Sequence, residues 1–517
     1  MRKKKTTAMI CMIAILLMAI FLLSSRLSHA LEVSQEKISG DATADSSQES
    51  ISATHTENVL PGQNPVIFQE DDFSSDMTSP AELGENIEFP DENRTRFRKL
   101  KNYFSANIGM LSYGVVQNPA DSIVNPHNDL LELPGYVANF EMRPDLYFDS
   151  SYLELSVKPR AKVDFQAWEE GMRENDTEWE HEGYVNEWLV RANAWHKIFV
   201  SYGRENLQWG PSFLFSPSNP FFTDNGRINA YMEVPGMDFG RLVFVPHVNW
   251  SLSLIVNTDE GRSVPLGPDP FSPIYAVKMD YTGEKAYGSF IYSRKDFKQA
   301  NTFGFFGGWT ASDALVLYTE GSMRRGSDAY YPVEDTSSFG ASLQRSYSDD
   351  HEIKPTVLAG CAYTFENSGT LTLEYLYNGQ GYNNDEADLY FTTARNVSDF
   401  YNKLLQDAAS DAEREDIAAL FKRNASSQNA SPGLRFLRKN YAMLQYHQVN
   451  IKNRLNISLR WTQNIDDGSG QLFGLFSYFL GNHWELFSSG LINAGNEETE
   501  FGSVLDYQVM LGLKFTL

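Results

Sequence analysis

Over residues 153–166 the chain alternates without a break. Leu153, Leu155, Val157, Pro159, Ala161, Val163 and Phe165 fall on one face, and Glu154, Ser156, Lys158, Arg160, Lys162, Asp164 and Gln166 on the other. Period two over such a run marks a strand with one apolar and one polar face. Strands in soluble sandwiches usually run about five or six residues, whereas a tilted strand crossing a bilayer needs about 9–11. The length of this run therefore points to a membrane-spanning β-barrel. The rest of the sequence agrees: 34 Phe, 26 Tyr, 9 Trp and 36 Gly in 517 residues suit aromatic-rich strands. Only one long apolar stretch is present, at 10–23, which excludes a polytopic helical membrane protein.

The same alternation returns at 455–462, where Leu455, Ile457, Leu459 and Trp461 oppose Asn456, Ser458, Arg460 and Thr462. It returns again at 505–517, where Leu505, Tyr507, Val509, Leu511, Leu513, Phe515 and Leu517 share a face. An amphipathic strand at the end of the chain resembles the C-terminal assembly signal of bacterial outer-membrane barrels, with Leu517 in the place usually held by Phe or Trp. That resemblance implies the outer-membrane assembly machinery, outer-membrane lipid and lipopolysaccharide as partners. About eighteen strands are expected, starting near 103, 137, 152, 184, 198, 237, 249, 274, 285, 301, 313, 354, 370, 439, 455, 472, 483 and 503. Tight links alternate with long segments at 118–136, 168–183, 206–235, 258–272, 326–352, 379–437 and 493–502. Short turns on the periplasmic side and long loops outside are the outer-membrane layout. An open sheet of that size would leave aggregating edges, so closure is required, and 16–18 strands leave room for an aqueous lumen. The expected fold is thus an all-β transmembrane antiparallel barrel over 96–517, with one loop partly helical.

Residues 1–30 read as a secretory signal peptide: Arg2, Lys3, Lys4 and Lys5, then the apolar stretch, then Ser28-His29-Ala30 as a cleavage site. Residues 31–95 carry 15 Asp+Glu against Lys37 and Arg94, the composition of a disordered acidic tail, expected in the periplasm. Such a tail is also able to dock a basic export partner. Overall, 43 Lys+Arg against 67 Asp+Glu give a net charge of −24, the wrong sign for a nucleic-acid binder. Two cysteines, Cys11 and Cys361, exclude a disulfide scaffold.

The helical spacing of Phe400, Leu404, Ala408, Ile417, Leu420 and Phe421 predicts one or two short amphipathic helices within 398–422. They either cap the barrel mouth or pack on neighbouring loops. The acidic segment 168–183 reads as a solvated loop, with divalent-cation bridging to lipopolysaccharide as the alternative.

The most distinctive segment is 202–222, YGRENLQWGPSFLFSPSNPFF. So much Pro and Gly among aromatics cannot pair as a regular strand, but it suits a rigid irregular fold inside a lumen. At Gly203, Arg204, Trp209, Gly210, Pro211, Ser212, Leu214, Ser216, Asn219, Pro220 and Phe221 the chain resembles the Wzi-like family of capsule-assembly outer-membrane barrels. That resemblance implies an eighteen-stranded barrel that holds surface polysaccharide as a lectin rather than an enzyme. The residues themselves allow Trp209, Phe213 and Phe215 to stack on sugar faces while Arg204, Asn206, Gln208 and Asn219 fix hydroxyls or carboxylates. They equally allow the rings simply to hold the loop together.

A second reading rests on the polar strand faces. Lys158, Arg160 and Lys162 beside Glu141, Arg143 and Asp145 are expected to line a pore, joined by Arg191 and Arg460. Opposed rows would set up a transverse field that selects polar or anionic solutes; mutual neutralisation is the plainer outcome. The chain then reads as a porin for small polar solutes. No nucleophile-elbow, zinc or nucleotide motif is legible, so no catalytic residue, metal or cofactor is expected.

Overall fold

The computed structural model describes residues 103–517 apart from 196, 223–225, 228, 263–270, 296–299, 328, 336–338, 346–351 and 429–435. The signal peptide and acidic tail expected at 1–30 and 31–95 lie outside the described residues.

Eighteen strands form one sheet that closes on itself. In chain order they are β1 (Phe104–Pro119), β2 (Tyr136–Asp149), β3 (Leu153–Ala167), β4 (Thr177–Trp195), β5 (Ile198–Glu205), β6 (Met237–His247), β7 (Trp250–Asp259), β8 (Ile274–Thr282), β9 (Ala286–Lys295), β10 (Ala300–Ser312) and β11 (Leu315–Arg325). After a separate hairpin, β12 (Tyr330–Glu334) and β13 (Ala341–Arg345), come β14 (Ile353–Thr364), β15 (Gly369–Asn378), β16 (Asn440–Ile451), β17 (Leu455–Asn464), β18 (Gly470–Leu480), β19 (Trp484–Ala494) and β20 (Leu505–Thr516). Each strand pairs antiparallel with its sequence neighbour, and β1 pairs β20 from Gly109↔Thr516 to Pro119↔Leu505, which removes the edges.

Alternation fixes which face looks where. On β15, Leu371, Leu373, Tyr375 and Tyr377 are exposed on the outside, while Thr372, Glu374, Leu376 and Asn378 point inward and are buried. The outward apolar surface continues round the barrel and exceeds anything a water-soluble monomer presents, so it belongs in lipid. Near the short turns, aromatic pairs such as Trp250–Tyr281 (4.9 Å), Tyr363–Phe365 (5.0 Å) and Trp484–Phe515 (4.7 Å) form a girdle. Connections on that rim are two to four residues; those on the other run from four to 61, the longest being 379–439.

All strands of the barrel start within two residues of expectation except β4, and the hairpin β12–β13 falls in a segment expected to be loop. The acidic segment 168–183 is only partly a loop: β4 begins at Thr177 and pairs Ala167↔Thr177 through Asp164↔Glu180 with β3. Glutamate-rich sequence has weak strand propensity, but here the β3 ladder is already in place and Trp179 packs on Phe165 at 4.9 Å.

The long loops make a cap. Helix α1 (Asn384–Asp407) starts at an Asn383 capping box with Glu386, and α2 (Asp411–Gln428) follows. Together they extend beyond the expected 398–422 at both ends. Tyr390 and Phe391 of α1 pack with Tyr382, Tyr331 of the hairpin and Leu437, so the helix rests on neighbouring loops. The β19–β20 connection ties the cap together. Glu500 accepts the Leu437 N–H (2.9 Å), an Asn464 side-chain N–H (2.8 Å) and the Tyr441 hydroxyl, and its own N–H donates to Asp467 (3.0 Å).

Burial raises the Glu500 carboxyl from 4.5 to about 7. Its neutral form therefore suits the folded cap. The associated stability is fully present below about pH 4.5 and is lost as pH rises through about 7, a difference of up to about 3 kcal/mol. Amide exchange of 436–441 and 464–469, corrected for intrinsic rates, is expected to be slower at pH 6 than at pH 8. The Glu500→Gln variant should lose that difference; an unchanged pH response in the variant would refute the assignment.

Candidate functional site: a loop fastened inside the lumen

The β5–β6 connection, 206–236, does not stay at the rim. It enters the barrel, and its contacts visit most of the wall. Backbone at membrane depth must find its hydrogen bonds in protein or water, and the wall supplies them with two glutamates.

Glu320 of β11 is fully buried and accepts the hydroxyls of Ser212, Ser216 and Ser218, each at 2.7 Å, with the N–H groups of Ser212 (3.4 Å) and Ser218 (3.3 Å). Glu374 of β15 accepts the N–H groups of Phe213 (2.7 Å) and Leu214 (2.9 Å) and the Tyr318 hydroxyl (2.6 Å). Arg227 returns from the loop's second half to donate to the carbonyls of Gly210 and Ser212, both at 2.9 Å. Two glycines permit the fit. Gly210 has φ +87°, and a Cβ there would stand 2.3 Å from the Glu320 carboxyl; a Cβ on Gly304 of β10 would meet the Ser218 carbonyl at 2.8 Å.

Apolar contacts complete the seat. Trp209, Phe221 and Phe222 bury against inward Phe239, Ile255, Ala276, Ile291 and Phe306 of β6–β10, with Trp209 edge-on to Phe221 at 5.8 Å. On the opposite arc Tyr231 stacks on Phe487 at 3.7 Å and donates to Glu485 at 2.6 Å. These inner surfaces are apolar where a wide aqueous barrel would be polar, so the loop is a fixed part of the lumen.

The loop's last limb meets the charged strands. Arg143 of β2 donates to the Tyr231 carbonyl (3.0 Å) and to Glu141 (2.7 Å). Arg160 of β3 holds Glu233 of the loop through two bonds (2.7 and 2.8 Å) and Asp145 through a third (2.9 Å). Lys158 pairs with Glu187 of β4 at 3.1 Å, and Lys162 with Asp164 at 2.6 Å. The acidic and basic rows therefore stand on neighbouring strands, and of the two arrangements considered for them the plainer one, mutual neutralisation, describes their geometry: each of these cations has an adjacent carboxylate that cancels it at close range. Several keep contact with solvent, Lys158 at 18%, Asp145 at 23% and Glu233 at 29% of side-chain area.

The remaining expected residues fall in three places. Arg191 pairs with Glu154 (2.9 Å) nearer the turn rim, and Arg460 of β17 is buried under the loop, donating to Gln445 (2.8 Å) and the Arg227 carbonyl (3.3 Å). Trp209 is 5% exposed and Asn219 2%; Asn219 fastens the loop to itself through the Leu207 carbonyl and the N–H groups of Phe221 and Phe222. Phe213 lies beneath Arg227 at 5.3 Å, Phe215 meets Phe436 at 6.1 Å, and Gln208 donates to Asn206 at 2.8 Å. Arg204 is not in the lumen: it shares the outward face of β5 with Val200 and Tyr202 and pairs with Asp238 at 2.7 Å. The seven proposed glycan contacts thus do not converge on one open face. Sequence reading passed over Glu320, Glu374, Arg227, Tyr231 and Glu233; the closely spaced Ser212, Ser216 and Ser218 were the available signal for a buried acceptor.

No family model and no curated protein matches the chain. Among solved structures it is similar to the outer membrane protein OprD from Pseudomonas aeruginosa, with TM-score 0.44 and 8% identity over 80% of this chain and 94% of that one. It is also similar to OccK7 (OpdD) from the same organism, with TM-score 0.47 and 9% identity over 80% and 98%. OccAB1 of Acinetobacter baumannii gives TM-score 0.47 and 10% identity over 80% and 97%.

Proposed function

We propose that the protein is a bacterial outer-membrane channel for small polar solutes, narrowed by the 206–236 loop. The passage runs along the β2–β4 wall. The observation that carries this reading is the partial solvent exposure of inward charges on β2–β4 and on Glu233, at a level where the loop otherwise fills or lines the barrel with buried groups. A polar stripe that stays wet beside a dry, fastened loop is what a narrow permeation path requires. The alternative, a barrel of the Wzi-like kind that holds surface polysaccharide, needs ring faces presented to sugar, and Trp209 is committed to seating the loop against the wall.

Single-channel recording of the purified protein in planar bilayers separates the two. A stable unitary conductance without affinity for purified capsular polysaccharide is the expected result. A silent barrel that binds the polysaccharide would overturn the channel reading.

A further inference from the structure

The charges in the lumen are not evenly distributed. On the dry side, Glu320 and Glu374 are balanced by Arg227 and Arg460. Toward the turn rim, Glu154 meets Arg191, Asp280 meets Lys278 and Glu485 faces Lys514, while at the loop end of β5 Glu205 meets Arg241. Along the wet β2–β4 stripe the balance fails. Beside the loop, four carboxylates (Glu141, Asp145, Glu187 and Glu233) stand with three cations. Above them, Asp164, Glu178, Glu180 and Glu182 stand with Lys162, Arg173 and Arg262. The 168–176 loop then adds Glu169, Glu170, Glu174 and Asp176.

Two features show that this wall accepts a positive charge. Arg262, arriving from the β7–β8 loop, already occupies part of it: its guanidinium lies 3.5 Å from the centre of the Tyr184 ring and grips Glu182 with two bonds of 2.7 and 3.0 Å. Asn139, inward on β2 and 3% exposed, donates to Asp164 at 2.6 Å and leaves its buried Oδ1 without a hydrogen-bond partner. An unused acceptor among Asp164, Glu141 and the Tyr184 hydroxyl is a position for an N–H donor carried by a solute.

We propose that the passage selects cations over anions, and that the loop-rim arc of β2–β4 is the filter, taking small solutes that carry a nitrogen cation. This inference rests on the channel reading. A cleft lined by one sign of charge with low-dielectric walls raises the local concentration of counter-ions. Glu180 is the residue to test. It faces Asp164 across the β3–β4 ladder, is exposed, and holds no structural bond, so changing it alters charge without loosening the fold.

The experiment is the reversal potential of the full-length protein in a planar bilayer under a KCl gradient. At low salt, K+ is expected to permeate roughly threefold or more over Cl−, with the ratio falling toward one at high salt as the Debye length contracts. Glu180→Lys should reduce the low-salt ratio about twofold, and Glu180→Gln should fall between. Replacing K+ by ammonium should leave a ratio at least as large. A conducting channel with a ratio of one or less refutes this inference and spares the channel. A ratio indifferent to Glu180→Lys and to salt refutes the location. A protein that never conducts removes both readings.

Discussion

Glu320→Ala is expected to raise the unitary conductance severalfold, make the current noisy, and destabilise the folded barrel by roughly 3–5 kcal/mol. The substitution removes the acceptor for three serine hydroxyls and two backbone N–H groups at once, and leaves Arg227 with one buried carboxylate fewer nearby. The Ser212 and Ser216 hydroxyls keep the carbonyls of Phe215 and Trp209 as acceptors, but the Ser218 hydroxyl and the two backbone N–H groups lose the carboxylate that ties them to the wall, which loosens the 210–218 segment in its seat. Conductance and the temperature at which the barrel unfolds in detergent are the two readouts. Glu320→Gln keeps one acceptor oxygen and should fall between the parent and alanine. Parental conductance and parental unfolding in the alanine variant would show that the loop is held by something else.

Trp209→Ala should cost about 3–5 kcal/mol through a different route. The indole closes the apolar patch formed by Phe239, Ile255, Ala276, Ile291 and Phe306, and Lys278 lies 5.2 Å from its ring. Removing it opens a cavity at membrane depth and lets water reach a wall built for contact with the loop. The result bears on the polysaccharide alternative as well. A tryptophan displayed for sugar stacking is dispensable for folding, so unchanged unfolding together with lost glycan affinity would favour the lectin reading.

The strands were legible because a two-faced wall leaves its period in the sequence whatever the neighbours do: β3, β17 and β20 can be read residue by residue. The hairpin β12–β13 and the early start of β4 were not, since their pairing depends on partners that local propensity does not encode. The lumen seat was hidden for a related reason. Glu320 and Glu374 occupy inward positions where any polar residue satisfies the alternation, and their significance comes from loop donors about a hundred or more residues away. Arg204 was misplaced because its strand ends just where the loop begins, so its facing is set by the β5 register, which puts it on the lipid side with Asp238. The inward position of the charged stripe on β2 and β3 was legible from the alternation. Its arrangement on adjacent strands, with Glu233 brought in from the loop, required the closed barrel.

The seam between β1 and β20 joins residues about four hundred positions apart. Pairings of such separation are slow to find and contribute little until the chain between them is ordered. Tyr231 adds to the delay, because the surfaces it needs come from β18 and β19 on one side and β2 on the other. Closing the seam and docking the final limb of the loop therefore belong to one late step. An assembly intermediate arrested before that step would be a curved sheet with both outer strands unpaired and its lumen loop only half seated, the species most exposed to aggregation or to capture by a chaperone.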